Sequence, residues 1–151
     1  MSVPATVIAH RAGNDLRMLA GAVGHVGVVE ADVHLFHGRL EMRHAKSIGP
    51  LPILWERWYL LDRRVPRLTL AEVLDAASPE ITLMLDLKGI DPRLPGEVMR
   101  AVDGWLTGRR LIVCSRTWRA LEIFRGVTGV ETLHSVGSRR QLRASDSVRR
   151  G

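Results

Sequence analysis

Glu30, Asp32 and His34 stand at alternate positions of an otherwise apolar run, Val28-Val29-Glu30-Ala31-Asp32-Val33-His34. As a β-strand, the run sends these three to one face and Val29, Ala31 and Val33 to the other, because strand side chains alternate. Two carboxylates on one buried face repel and rise in pKa unless a cation lies between them. A divalent ion meets that need, and oxygen-only ligands point to Mg²⁺ or Ca²⁺. Residues 81–88 repeat the alternation: Ile81, Leu83, Leu85 and Leu87 face one way, and Thr82, Met84, Asp86 and Lys88 the other. Three strand-end acids (Glu30, Asp32, Asp86), two histidines (His10, His44) and the cations Arg11 and Lys88 suit a metal and an anionic substrate. Each part has a plainer reading. A lone histidine at a strand end is more often a structural hydrogen-bonder, and Asp86 and Lys88 could simply neutralise each other. If the acids share one ion, the Asp86 carboxylate lies within roughly 8 Å of the others.

The elements that must position these residues follow from punctuation and periodicity. Residues 6–9 read as a buried strand running into a loop at His10-Arg11, and Asp15 caps a helix over 16–23, closed by Gly24. The central strand spans about 26–35; His37-Gly38 makes a tight turn, and 39–43 return antiparallel to end at His44. Residues 45–67 read as irregular, broken by Gly49, Pro50, Pro52 and Pro66, with a helical turn or two within 53–61. Thr69 and Glu72 fit a capping box ahead of a helix with Leu70, Val73, Leu74 and Ala77 as its apolar stripe. Then come a strand (81–88), a helix (94–106), a buried strand (111–114), a helix (117–124) and a last strand (130–134), with Ser138 opening a basic helix. Alternating strands and helices imply a parallel sheet, and the polar residues gather at the C-terminal ends of its strands. The fold class is therefore α/β: a parallel (β/α) barrel of TIM type, whose active sites sit on that face. Only about five of its eight strands are present, so the expectation is an incomplete barrel, or a sheet that closes by some other means.

The 151 residues, 46% hydrophobic with a mean hydropathy of +0.02, describe an ordinary folded chain with room for one core. No apolar run approaches the ~18 residues of a membrane span, and no basic, apolar leader opens the chain, which sets the expectation of a cytoplasmic protein without a transmembrane segment. The single cysteine, Cys114, lies in an apolar strand and reads as an inert buried thiol. Of the net charge of +6, +4 falls in residues 138–151, leaving a nearly balanced body at 1–137. A basic C-terminal segment on such a body gives no nucleic-acid surface. All but Lys46 and Lys88 of the 22 basic residues are arginine. Trp55 and Trp58 in the Pro-rich stretch could wall a pocket or pin the loop.

Ile8-Ala9-His10-Arg11, Glu30-Ala31-Asp32-Val33, the His37-Gly38 turn, His44 and Leu85-Asp86-Leu87-Lys88 resemble, in order and spacing, the glycerophosphodiester phosphodiesterases. That family's signature is a His-Arg-Gly start, a Glu-x-Asp strand, a histidine after a Gly turn and a Glu-x-Lys strand. The likeness covers essentially the whole chain. It departs at Ala12, where the family has glycine; in a first loop without the usual Glu-Asn-Thr; at Ala45, where aspartate is usual; and at Asp86, where glutamate is usual. Asp-x-Lys there is similar to the related sphingomyelinase D enzymes, and the family's barrel continues beyond Arg150.

The resemblance implies a divalent cation, Mg²⁺ or Ca²⁺, on Glu30, Asp32 and Asp86, with Arg11 and Lys88 on the substrate phosphate. It further implies His10 and His44 as a general acid/base pair acting on a small or lipid-derived phosphodiester. His34 would lie just behind the site. Alternatives are a sphingomyelinase D-like phospholipase and an inactive truncated relative acting as a binding fragment. The open barrel edge would favour a homo-oligomer.

Overall fold

The computed structural model describes residues 6–47, 53–56, 59–62 and 66–137. The expected helix after Ser138 and the side chain of Trp58 lie outside these residues. The main sheet holds β1 (Ile8–Ala9), β2 (Val28–Phe36), β7 (Thr82–Lys88), β8 (Leu111–Ser115) and β9 (Val130–His134) in that spatial order. Every neighbouring pair along this path is parallel. These are the five parallel strands read from the sequence, in an α/β arrangement that does not close on itself among the described residues.

Crossovers include α1 (Leu16–Ala22), α2 (Leu70–Ala76) and α3 (Leu94–Val102). Their starts obey local chemistry. The Asp15 side chain accepts from the backbone N–H groups of Arg17 and Met18, and Thr69 and Glu72 form the expected capping box. Ala31, Val33, Leu83 and Leu85 are fully buried, packed in one core with Leu70, Val73, Val98, Leu121 and Phe124. Burying each of the Val, Leu and Phe side chains among them contributes roughly 1.5–3 kcal/mol.

Strand β3 (Arg39–Met42) folds back on β2 through His37 and Gly38, both at positive φ (46° and 76°). Two successive left-handed residues make a turn whose twist matches the strands it joins. Strand β1 pairs with Val28 and Val29, whereas β3 pairs with residues 33–36 of the same strand. Between them, β2 has a gap that the loop at 11–14 fills: the Asn14 side-chain oxygen accepts the Asp32 N–H at 2.8 Å. That close approach needs glycine at 13. A Cβ there would fall 2.5 Å from the Ala31 Cβ and 3.2 Å from the Glu30 carbonyl oxygen. Gly13→Ala is expected to cost about 1–3 kcal/mol by overpacking, and Ala31→Gly in the same chain to recover part of it, read by denaturant unfolding.

Four expectations need correction. Residues 53–56 and 59–61 are not helical: β5 (Ile53–Glu56) pairs antiparallel with β6 (Tyr59–Asp62), and β4 (Lys46–Ser47) adds to β5 in a small separate sheet. Ile53, Trp55 and Tyr59 favour strands, and Leu54 gives the sheet a fully buried anchor. The helix at 94–106 ends at Val102. A 3₁₀ turn at Gly104–Leu106 follows, since Gly104 weakens a helix and the Trp105 indole N–H turns to the Leu74 carbonyl at 3.0 Å. Trp118–Phe124 is 3₁₀ rather than α, which puts Leu121 and Phe124, three apart, on one buried edge. Strand β1 is two residues long and lies at the sheet margin, so Val7 and Ile8 are exposed rather than buried.

Candidate active site

The register of β2 against β7 sets Asp32 beside Asp86 and His34 beside Lys88. In a parallel pair, residues side by side point to the same face, so the alternation of two separate strands merges into one polar surface. There the carboxylates of Glu30, Asp32 and Asp86 each offer an oxygen within 4.8 Å of the others. Glu30 and Asp32 are buried, Asp32 to 1% exposure. The convergence expected of the three acids is therefore present.

The loop after β1 wraps this cluster. Arg11 has a left-handed backbone (φ 59°, ψ 9°), an uncommon conformation for a residue with a side chain. It aims the Arg11 N–H at the Glu30 carboxylate, 2.6 Å away. His10 Nδ1 stands 3.0 Å from the same Glu30 oxygen, with its ring 69% exposed. Asn14 holds Asp32 twice, donating from Nδ2 to Oδ2 at 3.0 Å and accepting the Asp32 N–H. The sequence reading missed Asn14, a lone polar residue in a loop with no periodicity to mark it.

Two cations balance the acids. Lys88 Nζ hydrogen-bonds Asp86 and lies 3.0 Å from Asp32 Oδ1, an ionic contact short of hydrogen-bond geometry. Burial alone would push the Lys88 ammonium down, but Asp86 and Asp32 outweigh it and raise its pKa above the ordinary value. Arg11 Nε is 3.9 Å from Asp32 Oδ2. Burial, reinforced by the Asp32 charge, raises the Glu30 carboxyl above its usual value despite the Arg11 N–H.

His44, just past β3, is held on both sides. Its Nε2 meets an Arg11 guanidinium nitrogen at 2.7 Å, and its Nδ1 meets Glu56 Oε1 at 3.2 Å. Glu56 comes from β5, in a stretch read as irregular with a helical turn or two, which is why the sequence did not offer it. Glu41 and Arg43 were missed too: they form a buried pair, Arg43 Nε donating to Glu41 at 2.8 Å, on the face of β3 shared with His34.

A cleft of about 680 Å³ opens beside the cluster, lined among others by His34, Arg43, His44, Lys46, Asp86 and Lys88. Arg11 and His44 also border a smaller cavity of about 350 Å³ under β5. Trp55 lines neither and is 48% exposed. Ser115 is tied to the Leu87 carbonyl, and burial pushes the Cys114 thiol up to about 12, which makes it inert at neutral pH.

His34 is depressed to about 3, chiefly by burial and then by the Arg43 charge, so its imidazole is neutral. A histidine that folds neutral but titrates near its ordinary value when unfolded takes up a proton on unfolding between those two pH values. Stability must then fall as pH drops below about 6.5, by up to about 1.4 kcal/mol per pH unit from this group. His34→Gln is expected to flatten the acid limb by one proton, measured as unfolding free energy at pH 7, 6 and 5. An unchanged slope would show that His34 is not the group responsible.

The carboxylate set fits a hard divalent ion. All donors are oxygens, and the buried Asp32 Oδ1 has no hydrogen bond. No helix among the described residues is long and apolar enough to cross a membrane.

Neither a protein-family model nor a curated protein sequence matches the chain. Solved structures do. A glycerophosphodiester phosphodiesterase from Thermotoga maritima superposes with a TM-score of 0.71 at 17% identity, over 99% of this chain and 70% of its own. The glycerophosphoryl diester phosphodiesterase domain of an uncharacterized Mycobacterium tuberculosis protein gives 0.61 at 22% identity, over 92% of this chain and 62% of its own. The chain thus has the fold of the glycerophosphodiester phosphodiesterases, as an α/β barrel left open among the described residues.

Proposed function

We propose that the protein is a metal-dependent phosphoric diester hydrolase of glycerophosphodiester type, releasing an alcohol and glycerol phosphate. The observation that carries this reading is the meeting of Glu30, Asp32 and Asp86 at one point on the C-terminal side of the sheet. Glu30, Asp32 and Asp86 would hold Mg²⁺ or Ca²⁺. When bound, such an ion polarises a phosphoryl oxygen and offsets the negative charge that grows during displacement. Arg11 and Lys88 share the phosphate charge through their N–H groups. Of His10 and His44, one takes the proton of the attacking hydroxyl and the other gives one to the leaving alcohol. The hydroxyl belongs to water or to the substrate itself, which would form a cyclic phosphate first.

Hydrolysis of glycerophosphocholine, with Mg²⁺ or Ca²⁺ and after chelation, tests the reading; no metal-dependent release of choline or glycerol phosphate from folded protein overturns it. Asp86, shorter than the family's glutamate, favours one alternative, a sphingomyelinase D-like enzyme, which sphingomyelin and lysolipid arms of the same assay would reveal. The seat of Lys88 between Asp32 and Asp86 favours another, an inactive relative whose acids are neutralised without metal. Titration calorimetry with Mg²⁺ and Ca²⁺ separates that case, since neutralised acids take up no ion.

The metabolic setting that fits is lipid turnover in the cytoplasm, without nucleic-acid partners. Strand β9 ends the sheet with one flank unpaired among the described residues. Such an edge pairs readily with another chain, so a homo-oligomer is expected. Size-exclusion chromatography with the assay checks this; a fully active monomer would remove the edge from consideration.

A further inference from the structure

The contacts of His44 fix more than its position. A guanidinium can only donate hydrogen bonds, so the Nε2 atom that Arg11 approaches at 2.7 Å must present its lone pair. A carboxylate only accepts, so the Nδ1 atom 3.2 Å from Glu56 must carry the proton. One neutral tautomer, Nδ1–H with Nε2 bare, satisfies both neighbours. We infer that Glu56 is the positioning residue of His44 and makes it the base of the reaction, which leaves the acid role to His10. The inference rests on the hydrolase reading above.

A phosphodiester draws the Arg11 guanidinium onto its oxygens, which releases Nε2. The attacking hydroxyl gives its proton to Nε2 as its oxygen bonds to phosphorus and the bond to the leaving alcohol breaks. The imidazolium that results keeps Nδ1–H on Glu56, whose negative charge stabilises it. The alcohol oxygen takes its proton from the His10 side. Glu56 reaches His44 only because β5 pairs with β4, the short strand that follows His44, at Lys46 to Trp55 and Ser47 to Leu54. The small sheet is thus the device that brings a carboxylate to the base. Ala45, where the family usually has aspartate, removes the nearest acid in sequence, and Glu56 supplies one from farther along the chain.

The experiment combines ¹⁵N and Nδ1–H proton chemical shifts of the His44 ring with steady-state hydrolysis of glycerophosphocholine, in wild type, Glu56→Leu and Glu56→Gln. The wild type is expected to show the Nδ1–H tautomer alone. Glu56→Leu, in which Arg11 still holds Nε2 bare, is expected to keep that tautomer, to move the Nδ1–H proton signal upfield by loss of its acceptor, and to lower kcat by on the order of 10–100-fold, with KM within about twofold. Glu56→Gln, whose amide oxygen still accepts from Nδ1–H, is expected to restore most of the Nδ1–H shift but not the full kcat. A wild-type Nε2–H tautomer, or an Nδ1–H signal unmoved in Glu56→Leu, overturns the inference whether or not the protein turns over a diester. Absence of turnover with the Nδ1–H signal responding as stated leaves Glu56 as the residue that orients His44 and overturns the hydrolase reading instead.

Discussion

Asp32→Asn is expected to abolish divalent-ion binding and to lower phosphodiester hydrolysis by on the order of 10³-fold, while stability changes by less than about 2 kcal/mol. Asp32 is the most buried of the three acids, at 1% exposure, and the one with contacts on every side: Asn14, Lys88 and, more loosely, Arg11. The amide keeps the shape and one acceptor oxygen, so the cavity neither collapses nor opens. It removes the charge. Losing several kcal/mol of transition-state stabilisation through the ion corresponds to the rate loss given. Folding loses less, because Lys88 keeps its hydrogen bond to Asp86 and the Asp32 N–H keeps Asn14. Calorimetric titration with Mg²⁺ and Ca²⁺, turnover and chemical denaturation should be read on one preparation. If stability falls in step with activity, the acids are structural counter-ions of Lys88 and Arg11, and the metal reading fails.

The parts of this site that were legible in the sequence are those that strand alternation exposes. Glu30 and Asp32 stood out among valines, and Asp86 and Lys88 among leucines. Period-two patterning fixes the face of each, and parallel pairing of β2 with β7 then brings the faces together. Caps at Asp15 and Thr69 were equally plain, since a cap is local chemistry. What escaped was the long-range and the irregular. Asn14 sits in a loop, and its value lies in filling the gap between β1 and β3 along β2, a gap that only pairing reveals. Glu56 was hidden because 53–61 carries no clean alternation and is hemmed by prolines. Residues 117–124 read only as a helix, because 3₁₀ and α share the i, i+3 spacing of Leu121 and Phe124. Glu41 and Arg43 look like exposed charges on a returning strand until their mutual pairing shows how both are buried.

His10→Ala and His44→Ala are each expected to slow hydrolysis by at least about 10²-fold, but they should differ in their effect on the metal. The two rings, read from the sequence as an equivalent pair, have different neighbours. His10 Nδ1 shares the Glu30 oxygen that also accepts the Arg11 N–H. Its removal takes a neighbour 3.0 Å away from a metal-ligand candidate, and loss of such support typically weakens ion affinity 10–100-fold. His44 touches none of Glu30, Asp32 and Asp86 in any contact described; its partners are Arg11 and Glu56. His44→Ala should therefore leave Mg²⁺ or Ca²⁺ affinity within about threefold of wild type while removing the base. Saturating metal should restore part of the His10→Ala rate and none of the His44→Ala rate. Near-normal turnover in either variant takes that histidine out of the mechanism. Equal loss of ion affinity in both would mean that the Arg11 link carries the disturbance from His44 across to Glu30, and the site would have to be treated as one hydrogen-bonded unit rather than a base beside a metal.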